Sequence, residues 1–383
     1  MRTVIYNIGP IRRPITGIGR YALELIKLSA PSEQDIKVFT PYGLVDSSSF
    51  SHLADALDEP VKNPTIDWRQ YLAALPLSRP IYRRLQHHRF TQALNATLVE
   101  NPLFHDISYS GYPNVKPDIT TVFDLSHVQY PETHPSHRVK FLNWYFSALA
   151  ADDCVIVTIS ESVKTELIEN YGISSKRIFV TPLAADNSFK PRSGALCETT
   201  LKKYGLSYGK FVLGVGTLEP RKNWRNIIAA HKSLPLELQQ QYPLVLVGSH
   251  GWKNQALYSE LNNAHHVRLL NFVPQADLPF LYSGASVFTY ASLYEGFGLP
   301  LLEAMQSGIP AITSNNGALS ELAGTSAMQV DALDLEALTA AMEDLLNDKE
   351  RRAQLAKQGT IRAKDFSWQK TADLTHQVYE QIS

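Results

Sequence analysis

Arg221 and Lys222 stand side by side in GVGTLEPRKNWRNI, between an apolar run and the start of an amphipathic segment. At the carboxyl end of a strand in an open α/β sheet, that position faces the crevice where ligands bind. Two adjacent cations beside the unpaired amides of a helix N-terminus suit an anionic group such as a diphosphate; a solvated basic pair is the plainer alternative. A second constellation is YEGFGLPLLEAMQSGIP, in which Glu295 and Glu303 lie eight residues apart. At ~100° per residue the two carboxylates are offset by ~80°, so they can address one ligand from different heights. Gly296 and Gly298 leave the backbone bare, and Pro300 fits the first turn of a helix. The amides from Gly296 to Leu299 can then point at an anion. Carboxylates repel phosphate but accept from hydroxyls, so sugar and ribose hydroxyls are the natural partners of the pair. Taken singly, each Glu also reads as a complement to the helix dipole.

These groups need elements to hold them. VIYNI, from Val4 to Ile8, reads as a buried strand, GPIRRPITGIGR as a loop, and Ile18, Tyr21, Leu25 and Leu28 as one helical face. CVIVTIS is a strand; Ser160 caps the helix after it, with Val163, Leu167 and Tyr171 on one side. RIFVTPLAAD is the next strand and its exit. The stretch from about Asn187 to Gly209 carries Pro191, Gly194 and Gly205, and the domain junction is expected there. Beyond it FVLGVGT, YPLVLVGS, VRLLNFV, SVFTYAS and IPAITS are strands separated by helices. Short β runs alternating with helices predict parallel sheets with helices on both faces. The expected class is α/β, with two Rossmann-like domains, 1–187 and 188–366, facing each other across a cleft.

With 383 residues and ~150 per domain, two domains also fit the length. Charge is balanced, 36 basic against 37 acidic residues, which argues against bulk nucleic-acid binding. Cys154 and Cys197 are far apart, excluding a disulfide scaffold, and Cys154 fits a strand as a small core residue. His134, His137, His265 and His266 lack a supporting ligand cluster, so no metal is expected. The opening residues lack the long apolar run of a signal peptide, and no run reaches the ~18 apolar residues of a membrane span, so a cytoplasmic chain is expected. From Trp68 to Val99 there is no acidic residue, but Arg69, Arg79, Arg83, Arg84, Arg89, His87 and His88 all occur among leucines and tyrosines. That stretch is either a helical hairpin with a solvated basic face or a surface for anionic lipid, on the inner face of the cytoplasmic membrane, or for a lipid-diphosphate acceptor. GIGRYA matches the dinucleotide fingerprint formally, yet Gly17 lies too far beyond the first strand for its tight turn.

EGFGLPLLE resembles the Glu-x7-Glu signature of the retaining family-four glycosyltransferases (glycosyl transferases group 1), and TLEPRKN resembles their diphosphate clamp. The resemblance continues through SESVKTELIENYGI, RIFVTPLAAD, GALSELAG and FSWQKTA, covering nearly the whole chain. It implies GT-B architecture, with the acceptor on the N-terminal domain and a final segment, 367–383, crossing back to that domain. By resemblance Arg221 and Lys222 neutralise the departing diphosphate, Glu295 binds hydroxyls of the transferred sugar, and Glu303 holds the ribose diol. Thr217 and the amides of Gly296, Phe297, Gly298 and Leu299 join the donor pocket. Val273 and Leu278 flank the base, while Gly17, Gly19 and Arg20 approach the phosphates from the opposite domain. Such donors use preorganised charge in place of a metal, and no Asp-x-Asp triplet occurs. The pattern departs at VFDLSHVQYPETHP: Phe123 stands where the family often has His, Asp124 follows, and His127 lies four residues on. His127 is read as a substitute for that His or as a packed side chain. Asp124 either orients the acceptor or satisfies local backbone donors.

GIGRY and SHVQYPETHP look like bacterial O-antigen or capsule enzymes, which implies α-mannosyl transfer from GDP-mannose to a lipid-linked, polyprenol-diphosphate-type glycan. UDP-hexose, GDP-fucose and dTDP-rhamnose are the alternative donors. An epimerase of the same fold and an inactive nucleotide-sugar-binding scaffold are the rival functions.

Overall fold

The computed structural model describes residues 2–7, 17–29, 36–40, 43–47, 84–85, 87–93, 101–107, 109, 115–248, 255–262 and 264–382. Two sheets form from short strands, buried at the sheet centres and half-buried along the edges. The first contains β1 (Val4–Asn7), β2 (Ile36–Thr40), β3 (Gly43–Asp46), β4 (Leu103–Asp106), β5 (Ile119–Val122), β6 (Val155–Thr158) and β7 (Ile178–Val180), in the order β3-β2-β1-β4-β5-β6-β7. The second contains β8 (Val212–Val215), β9 (Leu244–Val247), β10 (Val267–Leu270), β11 (Val287–Tyr290), β12 (Ala311–Ser314) and β13 (Met328–Val330), in the order β10-β9-β8-β11-β12-β13. Both reverse direction beside their first strand, the switch point at which doubly wound sheets open a crevice. All pairings are parallel except β2 with β3. The antiparallel pair was not foreseen; two intervening residues can join antiparallel neighbours but are too few for a parallel crossover.

Helix patterning explains the layers. In Glu161–Tyr171 the Ser160 hydroxyl accepts from Val163 N at 3.2 Å, and Gly172 closes the other end at φ 65°. Val163 and Leu167 are buried, while Tyr171 is half-buried. Gly17–Ser29 buries Tyr21 and Leu25, but Ile18, assigned to the same face, is 39% exposed because it lies in the helix's opening turn. VRLLNFV is strand only to Leu270; Asn271 and Phe272 are exposed.

The two sheets share a core. One buried cluster runs from Val4, Tyr6 and Ile26 through Phe123, Leu183 and Phe297 to Leu213, Phe288 and Leu302. The final helix, Trp368–Ile382, lies on the first sheet, where the Tyr379 hydroxyl meets Tyr6 OH at 2.6 Å and His105 Nδ1 at 2.7 Å. His105 Nε2 continues to Thr121 Oγ1 at 2.7 Å, and burial lowers the His105 pKa to about 3, keeping it neutral. Cys154 and Cys197 are buried free thiols. Most of the basic stretch from Trp68 to Val99 lies outside the described residues; within it, 87–93 is helical.

Candidate active site

The carboxyl end of β8 leads into a single 3-10 turn, Pro220–Lys222, and then into the helix Trp224–Ser233. Asn223 makes the junction in the left-handed region at φ 58°, and its amide donates to Ala291 O at 3.0 Å and Ala332 O at 2.6 Å. Trp224 packs beneath the turn; a Cβ on Gly214 would come within 2.8 Å of its ring. The Thr217 carbonyl accepts from Trp224 Nε1 at 3.0 Å and from Glu219 N at 2.9 Å.

Fixed in this way, Arg221 and Lys222 converge on Glu295. Arg221 Nη1 donates to Glu295 Oε2 at 3.0 Å and to the Tyr294 carbonyl at 2.6 Å, while Nη2 donates to Glu219 Oε1 at 2.8 Å. Lys222 Nζ donates to Glu295 Oε1 at 2.6 Å and to Tyr290 OH at 2.8 Å, and Tyr290 itself donates to Oε1 at 2.9 Å. Burial would push the Glu295 carboxyl up, but Arg221 and Lys222 together outweigh it and hold its pKa at about 2. Burial likewise disfavours the Arg221 charge, yet Glu295, Asp124 and Glu219 raise its pKa. Two cations face two carboxylates here, so an incoming anion must exchange partners with Glu295 and Glu219.

Gly298, at φ 108°, turns the chain into the helix Leu299–Gln306, where a Cβ would lie 2.5 Å from Leu319. Glu303 projects from that helix and accepts from Tyr282 OH at 2.7 Å. Burial raises its pKa to about 7, with Asp186 adding to the rise and Tyr282 and Arg20 opposing it. Arg20 therefore lies within electrostatic reach of Glu303, and its guanidinium is 3.9 Å from Glu24. A Cβ on Gly17 would sit 3.5 Å from Leu299, so the N-terminal helix does meet the GFGL turn; Gly19, two residues on, is buried. Phe297 turns its ring inward, edge-to-face with Phe366 at 5.8 Å. Val273 is buried and Leu278 half-buried, following β10 and opening the helix Leu278–Gly284 respectively.

The turn after β5 abuts the glycine turn at Gly296. A Cβ on Gly296 would stand 1.8 Å from the Phe123 carbonyl oxygen, so only glycine permits this approach. Asp124 accepts from Ser126 N at 3.0 Å and from Ser126 Oγ at 2.6 Å, and His134 Nε2 reaches the same hydroxyl at 2.9 Å. Asp124 thus satisfies local donors while lying within electrostatic reach of Arg221. His127 is placed differently: 1% exposed, it stacks on Phe146 at 5.1 Å, and its Nε2 pairs with Tyr171 OH at 3.0 Å. Burial lowers its pKa to about 4, so His127 here is a neutral, packed side chain outside the Arg221–Glu295 cluster.

Glu219, Tyr290, Tyr294, Tyr282, Ser126 and His134 were not singled out for these roles. Glu219 stands inside the TLEPRKN segment itself. The tyrosines carried no signal, because their hydroxyls reach the site from an otherwise apolar strand, a helix and a loop. Among the described residues, no group of three or more His, Cys, Asp or Glu is placed to hold a metal ion.

Two doubly wound sheets, with paired cations at the end of one strand and two glutamates flanking a glycine turn, are the features to be compared with known proteins. Residues 198–362 match the family described as glycosyl transferases group 1. The chain is 33% identical over 382 residues to the O-antigen chain mannosyltransferase B of Escherichia coli, covering 98% of this chain and 99% of that protein. The chain belongs to the group 1 glycosyltransferases. Its fold matches that of WaaG, a glycosyltransferase involved in lipopolysaccharide biosynthesis, at TM-score 0.73 and 16% identity, covering 98% of this chain and 99% of that one. Anabaena HepE in complex with UDP and glucose matches at TM-score 0.68 and 16% identity, over 100% and 99% of the two chains. The architecture is GT-B.

Proposed function

We propose that this protein is a retaining, metal-independent mannosyltransferase that moves α-mannose from GDP-mannose to a lipid-linked glycan in O-antigen assembly. The observation that carries the reading is the convergence of Arg221 and Lys222 on Glu295, in a chain 33% identical along nearly its full length to an O-antigen chain mannosyltransferase. On binding, the donor's diphosphate takes over Arg221 and Lys222, which releases Glu295 to accept from the sugar's hydroxyls. Glu303 takes the ribose diol, and Thr217 with the amides of Gly296 to Leu299 complete the pocket. Val273 and Leu278 flank the base, and Gly17, Gly19 and Arg20 close from the first sheet.

The glycosidic C–O bond to the β-phosphate breaks while the acceptor oxygen attacks the same face of the anomeric carbon. The departing phosphate oxygen takes the acceptor's proton, and the two cations hold the charge left on the nucleoside diphosphate. Asp124, anchored by Ser126, orients the acceptor hydroxyl. With the cleft closed, water is excluded and donor hydrolysis is suppressed. Reaction with a polyprenol-carried glycan belongs at the inner face of the cytoplasmic membrane; among the described residues no helix is long and apolar enough to cross a bilayer.

Thermal-shift titration with GDP-mannose, GDP-fucose, UDP-glucose and dTDP-rhamnose, with and without EDTA, tests the donor. A rise in Tm selective for GDP-mannose and indifferent to EDTA is expected. A UDP- or dTDP-selective rise overturns the donor, an EDTA-sensitive one overturns metal independence, and a β-anomeric product by NMR overturns retention.

A further inference from the structure

Asp124 follows the end of β5 half-buried, and its two carboxylate oxygens have different surroundings. Oδ1 accepts twice from one residue, from Ser126 N at 3.0 Å and from Ser126 Oγ at 2.6 Å. Oδ2 takes no hydrogen bond among the described residues. The side chain stands against the glycine turn of the opposite half: Asp124 Cβ lies 3.0 Å from where a Cβ on Gly296 would be, and Arg221 and Tyr294 are within its electrostatic reach. One oxygen is therefore held, and the other is left to a donor that the protein does not supply.

Ser126 has one hydroxyl proton, and the bond to Asp124 uses it. His134 Nε2, 2.9 Å from the same hydroxyl oxygen, must then be the donor, which fixes the neutral imidazole in the tautomer with its hydrogen on Nε2. Burial lowers the His134 pKa, Arg138 and Arg221 adding to the fall and Asp124 and Glu219 opposing it, so the ring is neutral at neutral pH. Ser126 is 4% exposed and His134 8%, so water does not compete for this chain of bonds.

The local backbone makes the reach possible. Ser126–Gln129 is a single helical turn, and the 3-10 turn Pro131–Thr133 brings His134 back within reach of Ser126. His134 N donates to Pro131 O at 3.1 Å, and Thr133 Oγ1 donates to Tyr130 O at 2.7 Å. Tyr130 OH donates to Leu293 O at 3.2 Å, which seats this segment on the loop that bears Glu295. A histidine that only fills a core can end on a backbone carbonyl, as His231 Nε2 does on Tyr242 O at 2.8 Å. The His134 chain ends instead on a carboxylate with one open oxygen.

We propose that His134 is a positioning residue for the transfer reaction: through Ser126 it locks the Asp124 carboxylate in place and leaves Oδ2 for the acceptor hydroxyl. This rests on the reading that Asp124 orients the acceptor. A lone serine hydroxyl rotates among acceptors, whereas the His134 N–H occupies its oxygen and directs its proton to Oδ1.

Nuclear magnetic resonance of the full chain with isotope-labelled histidine tests the chain of bonds without donor or acceptor, so its failure is distinct from failure of the transferase reading. The His134 ring nitrogens, assigned by their loss in His134→Gln, should report hydrogen on Nε2, and Ser126→Ala should erase that preference. Hydrogen on Nδ1 in the wild type overturns the proposal. With GDP-mannose and octyl α-mannoside, His134→Leu should lower kcat/KM for the acceptor by about tenfold to a hundredfold. GDP affinity by calorimetry should stay near wild type, which separates the loss from unfolding. His134→Gln keeps an N–H donor and should recover most of the loss. Ser126→Ala/His134→Leu should be no slower than Ser126→Ala alone, because both changes break one chain. Equal losses in His134→Leu and His134→Gln, or losses that multiply in the double variant, make His134 a packing residue and overturn the proposal.

Discussion

Glu295 and Glu303 are both glutamates in one short segment, yet their surroundings drive them apart. Two cations hold Glu295 ionised with a pKa of about 2, whereas Glu303, facing Tyr282 with Arg20 only at a distance, is raised to about 7. The signs have different consequences. The depressed Glu295 contributes stability above its ordinary carboxyl pKa and loses it as pH falls towards about 2. The raised Glu303 is protonated below about pH 7, and a ribose diol donating to it requires the ionised form. Donor affinity should therefore strengthen by about tenfold between pH 6 and 8, with proton release on binding. Calorimetry in two buffers of different ionisation enthalpy checks this, and Glu303→Gln should abolish the pH dependence. Lys222→Met should lower kcat/KM by about 10²–10³-fold, because it removes charge aimed at the leaving group. A Tm close to wild type, with Arg221 still on Glu295, would separate that loss from unfolding.

Among the elements, the loop Leu293–Gly298 and the turn after β5 depend on each other. Gly296→Ala would thrust a methyl into the Phe123 carbonyl and force the loop and turn apart. Transfer activity should fall steeply while far-UV circular dichroism stays native; an active Gly296→Ala enzyme would deny the contact any role in closure. The final helix depends on a buried polar hub rather than on apolar packing alone. Tyr379→Phe removes the hydroxyl that both Tyr6 OH and His105 Nδ1 meet in the core and should cost about 1–3 kcal/mol, read as a lower urea midpoint. Element type was legible from sequence because β-branched runs and 3.6-residue spacing are local signals. The β2–β3 pairing was not, because strand direction depends on what pairs in space.

Across the whole molecule, the halves are held together by polar contacts near the site. Ser160 Oγ donates to Gly296 O at 2.8 Å, Leu125 N donates to Tyr294 OH at 2.8 Å, and Tyr294 OH donates to Glu166 at 2.6 Å. Glu321 accepts from both Glu161 N and Ser162 N at 3.0 Å, at the start of the helix Glu161–Tyr171. Arg221, bonded to the Tyr294 carbonyl, connects this latch to the candidate phosphate clamp. Glu321→Ala should loosen the donor-free protein, seen as a larger radius of gyration by small-angle scattering. Donor affinity should hold, since Glu321 lies outside the clamp.

The sequence by itself determined the class of fold, the family and three of the residues that meet at the cation–carboxylate cluster, Arg221, Lys222 and Glu295, because those depend on local periodicity and on short motifs with fixed geometry. Arg221, Lys222, Glu295 and Glu303 could be named from their spacing. Tertiary structure alone decided what each of them faces. It set Glu219 and Tyr290 beside the clamp, buried His127 against Phe146, and brought Phe123 onto Gly296 from 173 positions away. Burial and partner charge are properties of packed space, and these, rather than residue type, separate a pKa of about 2 from one of about 7 on two like side chains.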